Sequence, residues 1–157
     1  MNPCHADLPR ALRNHDIVRA AWEGISPDRV WDCHTHLVGT GDSESGIWLN
    51  PAMHSPRAPL QYAQRLFFLN AGCANEGAGA VDRAYVERMK ALLNGLGPGL
   101  KLMLMAFDHT YDTEGKQDLT RTAFHTPNAY AARTAASAPQ HFEWIASVHP
   151  SRADCVE

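Results

Sequence analysis

The chain has 157 residues, and its fourteen basic and seventeen acidic side chains leave a formal net charge of −3, so nothing in its charge draws it to nucleic acid or to an acidic membrane surface. No apolar run reaches bilayer-spanning length and no charged-then-apolar signal opens the sequence, which makes the cytoplasm the expected compartment. Cys4, Cys33, Cys73 and Cys155 form no C-x-x-C pair; this argues against a zinc ribbon or a thioredoxin-like site, and free thiols are expected in place of a disulfide framework.

Taken in chain order, the first predicted element is a helix from Asp7 to Glu23, with Leu8, Leu12, Val18 and Trp22 near helical spacing and a break at Ser26-Pro27. A strand follows over Val30 to Leu37. Alternation would place Asp32, His34 and His36 on one face of it and Cys33, Thr35 and Leu37 on the other. The segment Gly39 to Pro59, rich in Gly, Ser, Asn and Pro with Trp48 and His54 embedded, is a loop long enough to expect a function of it. Two helices come next. One runs from Pro59 to Asn70 with an apolar face of Leu60, Ala63, Leu66 and Phe67. The other runs from Asp82 to Asn94 with Tyr85, Met89 and Leu92, Leu96 continuing the spacing, and the Gly95-Leu96-Gly97-Pro98-Gly99 segment stops it.

Leu100 to Phe107, broken only by Lys101, reads as a strand covered on both sides, with Asp108 and His109 at its exit and a polar loop from Tyr111 to Arg121 beyond. Thr126 is a good N-cap, with Pro127 at the first position of an alanine-rich helix ending near Ser137. His141 to Val148 is the third strand, and Pro150 to Glu157 reads as the opening of another helix. Strands alternating with helices, each strand leaving by a polar loop, are the signature of parallel α/β structure.

The chemistry concentrates at the ends of these strands. Two imidazoles on one strand face can grip one cation, and a catalytic zinc site typically uses three protein ligands and an open position. His34 and His36 supply two, and a cation there would activate water near neutrality and polarise a carbonyl. Asp32, one step deeper, is a supporting group or further ligand, or else a carboxylate that holds the strand through backbone contacts. His149 and Asp108 stand at strand ends where acid–base groups gather; a cap on the following helix is the plain alternative for His149, and alternation lets only one of Asp108 and His109 face inward. Arg57 and Arg152 could bind a substrate carboxylate or be solvated surface charges. Trp48, Phe124 and Tyr130 could line a pocket or simply pack. No G-x-S-x-G, P-loop or dinucleotide fingerprint appears, which removes the usual support for serine hydrolysis, nucleotide hydrolysis and nicotinamide redox chemistry.

Three segments, Asp32-Cys33-His34-Thr35-His36, Leu104-Met105-Ala106-Phe107-Asp108-His109 and Ala146-Ser147-Val148-His149-Pro150, give the chain a resemblance to the amidohydrolase superfamily. Within it, the chain resembles the amidohydrolase-related branch that includes decarboxylases of the aminocarboxymuconate-semialdehyde type. The resemblance implies a metal-dependent (β/α)8 barrel in which His34 and His36 are metal ligands. It also implies a further histidine and a last-strand aspartate as ligands, both beyond Glu157. A whole barrel needs about 250 residues, so the expected architecture is a partial (β/α)8 barrel, the first three or so β/α units, forming the amino-terminal part of one domain. The expected activity is metal-dependent hydrolysis of a small carbonyl-type substrate with a divalent cation, zinc by preference. Non-hydrolytic decarboxylation and an inactive metal-binding scaffold are the alternatives, and homo-oligomerisation is left open.

Overall fold

The computed structural model describes residues 9–74 and 80–156. Its elements in chain order are α1 (Arg10–Arg13), α2 (Asp16–Ala21), β1 (Trp31–His36), β2 (Trp48–Leu49), α3 (Pro59–Ala71), α4 (Val81–Leu96), β3 (Lys101–Met105), β4 (Phe124–His125), α5 (Asn128–Ser137) and β5 (Phe142–Ile145). The three apolar runs read as strands form one parallel sheet in the order β1-β3-β5. The chain is therefore mixed α/β, with each new strand added beside the one before. Among the described residues no helix is long and apolar enough to cross a membrane.

The sheet buries one face under two helices. Leu102 pairs with Phe142 and Leu104 with Trp144, and paired residues of parallel neighbours share a face. Leu104 and Phe142 are 0% and 1% exposed and form one cluster with Leu37, with Val86, Met89 and Leu93 of α4, and with Ala131 and Ala135 of α5. The alanines of α5 let its backbone approach the sheet closely, and the larger side chains of α4 fill the remaining space. The opposite face carries Lys101, Met103, Met105, Glu143 and Ile145, all half-buried, with a Lys101–Glu143 ion pair at 2.7 Å.

Several local expectations are corrected. The leading helix divides into α1 and α2 because His15 breaks it: its backbone is extended and its Nδ1 accepts the Ile17 N–H as an N-cap. The start of that predicted helix, Asp7 and Leu8, lies outside the described residues. Pro150 onward forms turns up to residue 156 in place of a helix. Thr126 is not the N-cap of α5; its hydroxyl donates to the Leu37 carbonyl at 2.9 Å, and Pro127 takes the cap position. Cys33 and Cys155 are free thiols as expected, but Cys73 is disulfide-bonded.

The largest correction concerns α3. Its predicted apolar face is exposed, with Leu60 at 77% and Phe67 at 67%, whereas Arg65 and Leu69 are buried. The helix packs against the 3-10 turn Pro51–His54, and Leu69 joins Ala74 and Val81 in a small cluster separate from the main core, so a different side of it turns inward.

Two aspartates fasten the loop after β1 to the start of α4. Asp82, fully buried, accepts the Thr40 N–H at 2.6 Å, the Gly41 N–H at 3.1 Å and the Ser45 hydroxyl. Asp42 returns the contact by accepting the Val81 N–H at 2.6 Å and the Asp82 N–H at 3.2 Å, so a loop carboxylate caps α4 from a distance in sequence. Burial works against ionisation of Asp42, but those two N–H groups together with the Ser43 and Thr40 hydroxyls outweigh it and hold its carboxyl below the ordinary range.

Candidate functional site

The His-x-His pair sits where β1 ends. Tyr85 of α4 donates its hydroxyl to the His36 carbonyl at 3.0 Å, fixing the strand end against the helix. The Nε2 atoms of His34 and His36 converge to 3.1 Å, with ring planes 74° apart. Burial, and then the neighbouring His34, lower the proton affinity of His36 and favour its neutral, metal-binding form.

Asp32 does not share their face. The β1–β3 register shifts between Asp32 and Thr35: Asp32 pairs with Leu102, Thr35 with Leu104 and His36 with Met105. One extra residue in β1 inverts the alternation, so Asp32 belongs to the helix-covered side and His36 to the opposite one. The Asp32 Oδ1 accepts the His34 N–H at 3.0 Å. Of the two roles considered for this carboxylate, the one observed is the backbone contact, which props the irregular turn of the strand.

The loops after β1 and β3 close over this end of the sheet. β2 and β4 pair antiparallel, Trp48 with His125 and Leu49 with Phe124, and Phe107 bridges to Thr126. The Asn50 side chain donates to the Leu119 and Thr122 carbonyls at 3.0 and 2.8 Å. Beneath these loops lies a cavity of about 280 Å³ whose lining includes His36, Leu49, Met53, Phe68, Phe107 and Phe124, together with the buried Arg65. Among the residues singled out from sequence, His36 and Phe124 line it; Phe68, Phe107, Met53 and Arg65 carried no signal beyond apolar or helical spacing.

The other strand-end residues form a separate structural knot. Asp108 Oδ2 accepts the His149 N–H at 2.9 Å and Arg152 Nη1 at 3.0 Å, and Asp108 N–H donates to Ser147 Oγ at 3.1 Å. Burial alone would raise the Asp108 carboxyl, but the His149 N–H, the Arg152 guanidinium and the His109 N–H outweigh it and keep it ionised. It is thus an acceptor that ties the end of β3 to the turn after β5. His149 accepts the Ser151 N–H on Nδ1 at 3.2 Å, capping a turn and not a helix, and its ring lies 5.4 Å from that of Tyr111. Arg152 holds Asp154 as well as Asp108, so its fork is occupied by carboxylates of the chain itself. Arg57 is exposed and outside the cavity lining. His109 stacks on His125 with centroids 4.0 Å apart, and Trp48 flanks it at 5.5 Å.

Two nitrogens that each stand about 2.0–2.1 Å from a tetrahedral zinc ion are about 3.3 Å apart. The 3.1 Å between the two Nε2 atoms is close to that bite, and it also suits a hydrogen bond between one protonated and one bare nitrogen. The donor set therefore fits as two ligands. Among the described residues no group of three or more His, Cys, Asp or Glu side chains is arranged to hold a metal, so neither a closed four-ligand site nor a complete catalytic set is formed by them. No protein-family model, curated protein or solved structure matches the chain.

Proposed function

We propose that this chain carries the first-strand half of a metal site in a hydrolase of the amidohydrolase type, with a divalent cation, zinc by preference, held by His34 and His36. The observation that carries this reading is the convergence of the two Nε2 atoms at the carboxyl end of β1, with His36 in the wall of a cavity. That end of a parallel strand is where α/β barrels place their chemistry. The strand order β1-β3-β5 with helices α4 and α5 on one face supports the first units of a (β/α)8 barrel. One half of a doubly wound sheet has the same order, and the ligand pair inside the strand favours the barrel.

When bound, the cation supplies Lewis-acid polarisation of a substrate carbonyl and activation of water. The protein's own residues have other tasks. His34 and His36 position the reacting group, the Asp32–His34 contact sets the strand geometry, and the two overhanging loops limit access of solvent. Non-hydrolytic decarboxylation, which the same family resemblance implies, is the second reading.

Zinc titration of the chelator-treated protein tests the proposal. One equivalent is expected to bind, with affinity lost about tenfold or more in both His34→Ala and His36→Ala while the far-UV spectrum is kept. Equal affinity in all three proteins would sink it. Carbon dioxide release from carboxylated substrates, set against amide and ester cleavage, separates the two reactions.

A further inference from the structure

We propose that the cavity beside His36 receives a flat aromatic part of the substrate, with the polar reacting group left at the histidine pair. The proposal rests on the hydrolytic reading for where reaction occurs, but not for the binding itself. An apolar cavity of about 150 Å³ accepts benzene and stays dry when empty. The 280 Å³ here, walled by Leu37 and Met53, each 1% exposed, and by Leu69 at 8%, is room for about two fused rings.

The rings around it argue for an aromatic occupant over a flexible alkyl chain. Phe107 stacks on Phe124 with centroids 4.5 Å apart and planes 30° apart, and Phe68 meets Phe124 edge to face at 6.1 Å. His36 meets Phe107 at 6.1 Å and 62°. A planar guest entering this set finds ring faces and ring edges in the orientations that aromatic pairs prefer. Phe107, which lines the cavity, is 40% exposed, so part of this ring set is open to solvent.

A second observation concerns polarity. His36 Nδ1 is buried and has no hydrogen-bond partner among the described residues, although a buried ring nitrogen is normally satisfied. A guest that brings a carbonyl or amide to the histidine end of the cavity could supply that partner, whereas a purely hydrocarbon guest could not. The fitting ligand is therefore an aromatic ring system bearing one carbonyl-type group.

The test compares 2-naphthamide with acetamide on the full chain in chelator, following the histidine ring protons by NMR. Naphthamide is expected to bind about tenfold tighter or better, to move the His36 ring signals, and to leave those of His141 in place. Leu49→Trp, which fills the cavity, should abolish the preference; the wild-type comparison decides even where that variant does not fold. Equal affinity for the two amides, or a His36 shift no larger than that of His141, overturns the proposal. Retained naphthamide binding together with a failed zinc titration would overturn the hydrolase reading and leave the aromatic site standing.

Discussion

Asp82 holds Thr40 across forty-two positions of sequence: the buried carboxylate accepts the Thr40 N–H at 2.6 Å and shares its remaining lone pairs with Gly41 and Ser45. The contact is close on all sides, since a Cβ added to Gly39 would lie 2.1 Å from Asp82 Oδ1. Hydrogen bonds to a charged group contribute about 1.5–3 kcal/mol, and unpaired buried partners cost more. Asp82→Ala is therefore expected to lower stability by about 3 kcal/mol in urea unfolding. Because Gly39 also lines the cavity, Gly39→Ala should weaken ligand binding there as well as stability. A loss below about 0.5 kcal/mol in Asp82→Ala, the range of ordinary surface changes, would mean that the loop is held by something else.

The core and the outer side of α3 should respond oppositely. Leu104, fully buried between β1, β5 and the helices, is expected to cost about 2–5 kcal/mol when cut to alanine, because a cavity remains where packing cannot collapse. Phe67 is 67% exposed, and Phe67→Ser should change stability by no more than about 0.5 kcal/mol while raising solubility. Comparable losses at both positions in chemical denaturation would contradict the placement of α3.

That contrast also marks where the sequence was readable. The apolar runs that became β1, β3 and β5 carry their own signal, and the helices between them follow from period and breakers, with bounds within about two residues of those observed for α3, α4 and α5. Leu60, Leu66 and Phe67 gave α3 a correct period and a wrong inward face, because spacing says which residues lie together and not what lies opposite them. The inverted face of Asp32 was out of reach for a related reason: the extra residue in β1 is defined only by its register against β3, some seventy positions later. β2 and β4 are two residues each, too short for any periodicity. The convergence of His34 and His36, by contrast, was legible because both residues lie in one local motif, whereas the aromatic wall of the cavity is assembled from four separate segments.

Acid should destabilise the protein through histidines that the fold keeps neutral. Burial is the main cause that lowers the pKa of His109 and His125 from the usual 6.5, and the stacked His125 adds to it at His109. A group with a lowered folded pKa is protonated first in the unfolded chain. It exerts no penalty above 6.5, and the penalty grows as pH falls below 6.5 until the folded values are passed. The melting temperature of the chelator-treated protein is expected to fall by several degrees between pH 7.5 and pH 5.5, and by less in His125→Phe, which keeps a ring against His109 but cannot be protonated. An unchanged or rising melting temperature on acidification would show that these imidazoles are not held neutral by the fold.

Asp32 offers the sharpest separation between a strand prop and a metal ligand. Its Oδ1 accepts the His34 N–H at 3.0 Å, and the register assigns it to the helix-covered side of β1. Asp32→Asn retains an oxygen in the same place, so the irregular turn and the spacing of the histidine nitrogens should survive, with zinc affinity kept within about threefold. Asp32→Ala removes the acceptor, and a pair held at 3.1 Å by that turn should loosen, costing zinc affinity about tenfold, the usual scale for losing a group that orients a ligand. A carboxylate bound directly to the cation predicts a different order, because asparagine is a much poorer ligand for zinc than aspartate, and both variants would then lose affinity alike. Competition against a zinc chelator across the three proteins distinguishes the cases, and equal losses in Asp32→Asn and Asp32→Ala would return Asp32 to the metal.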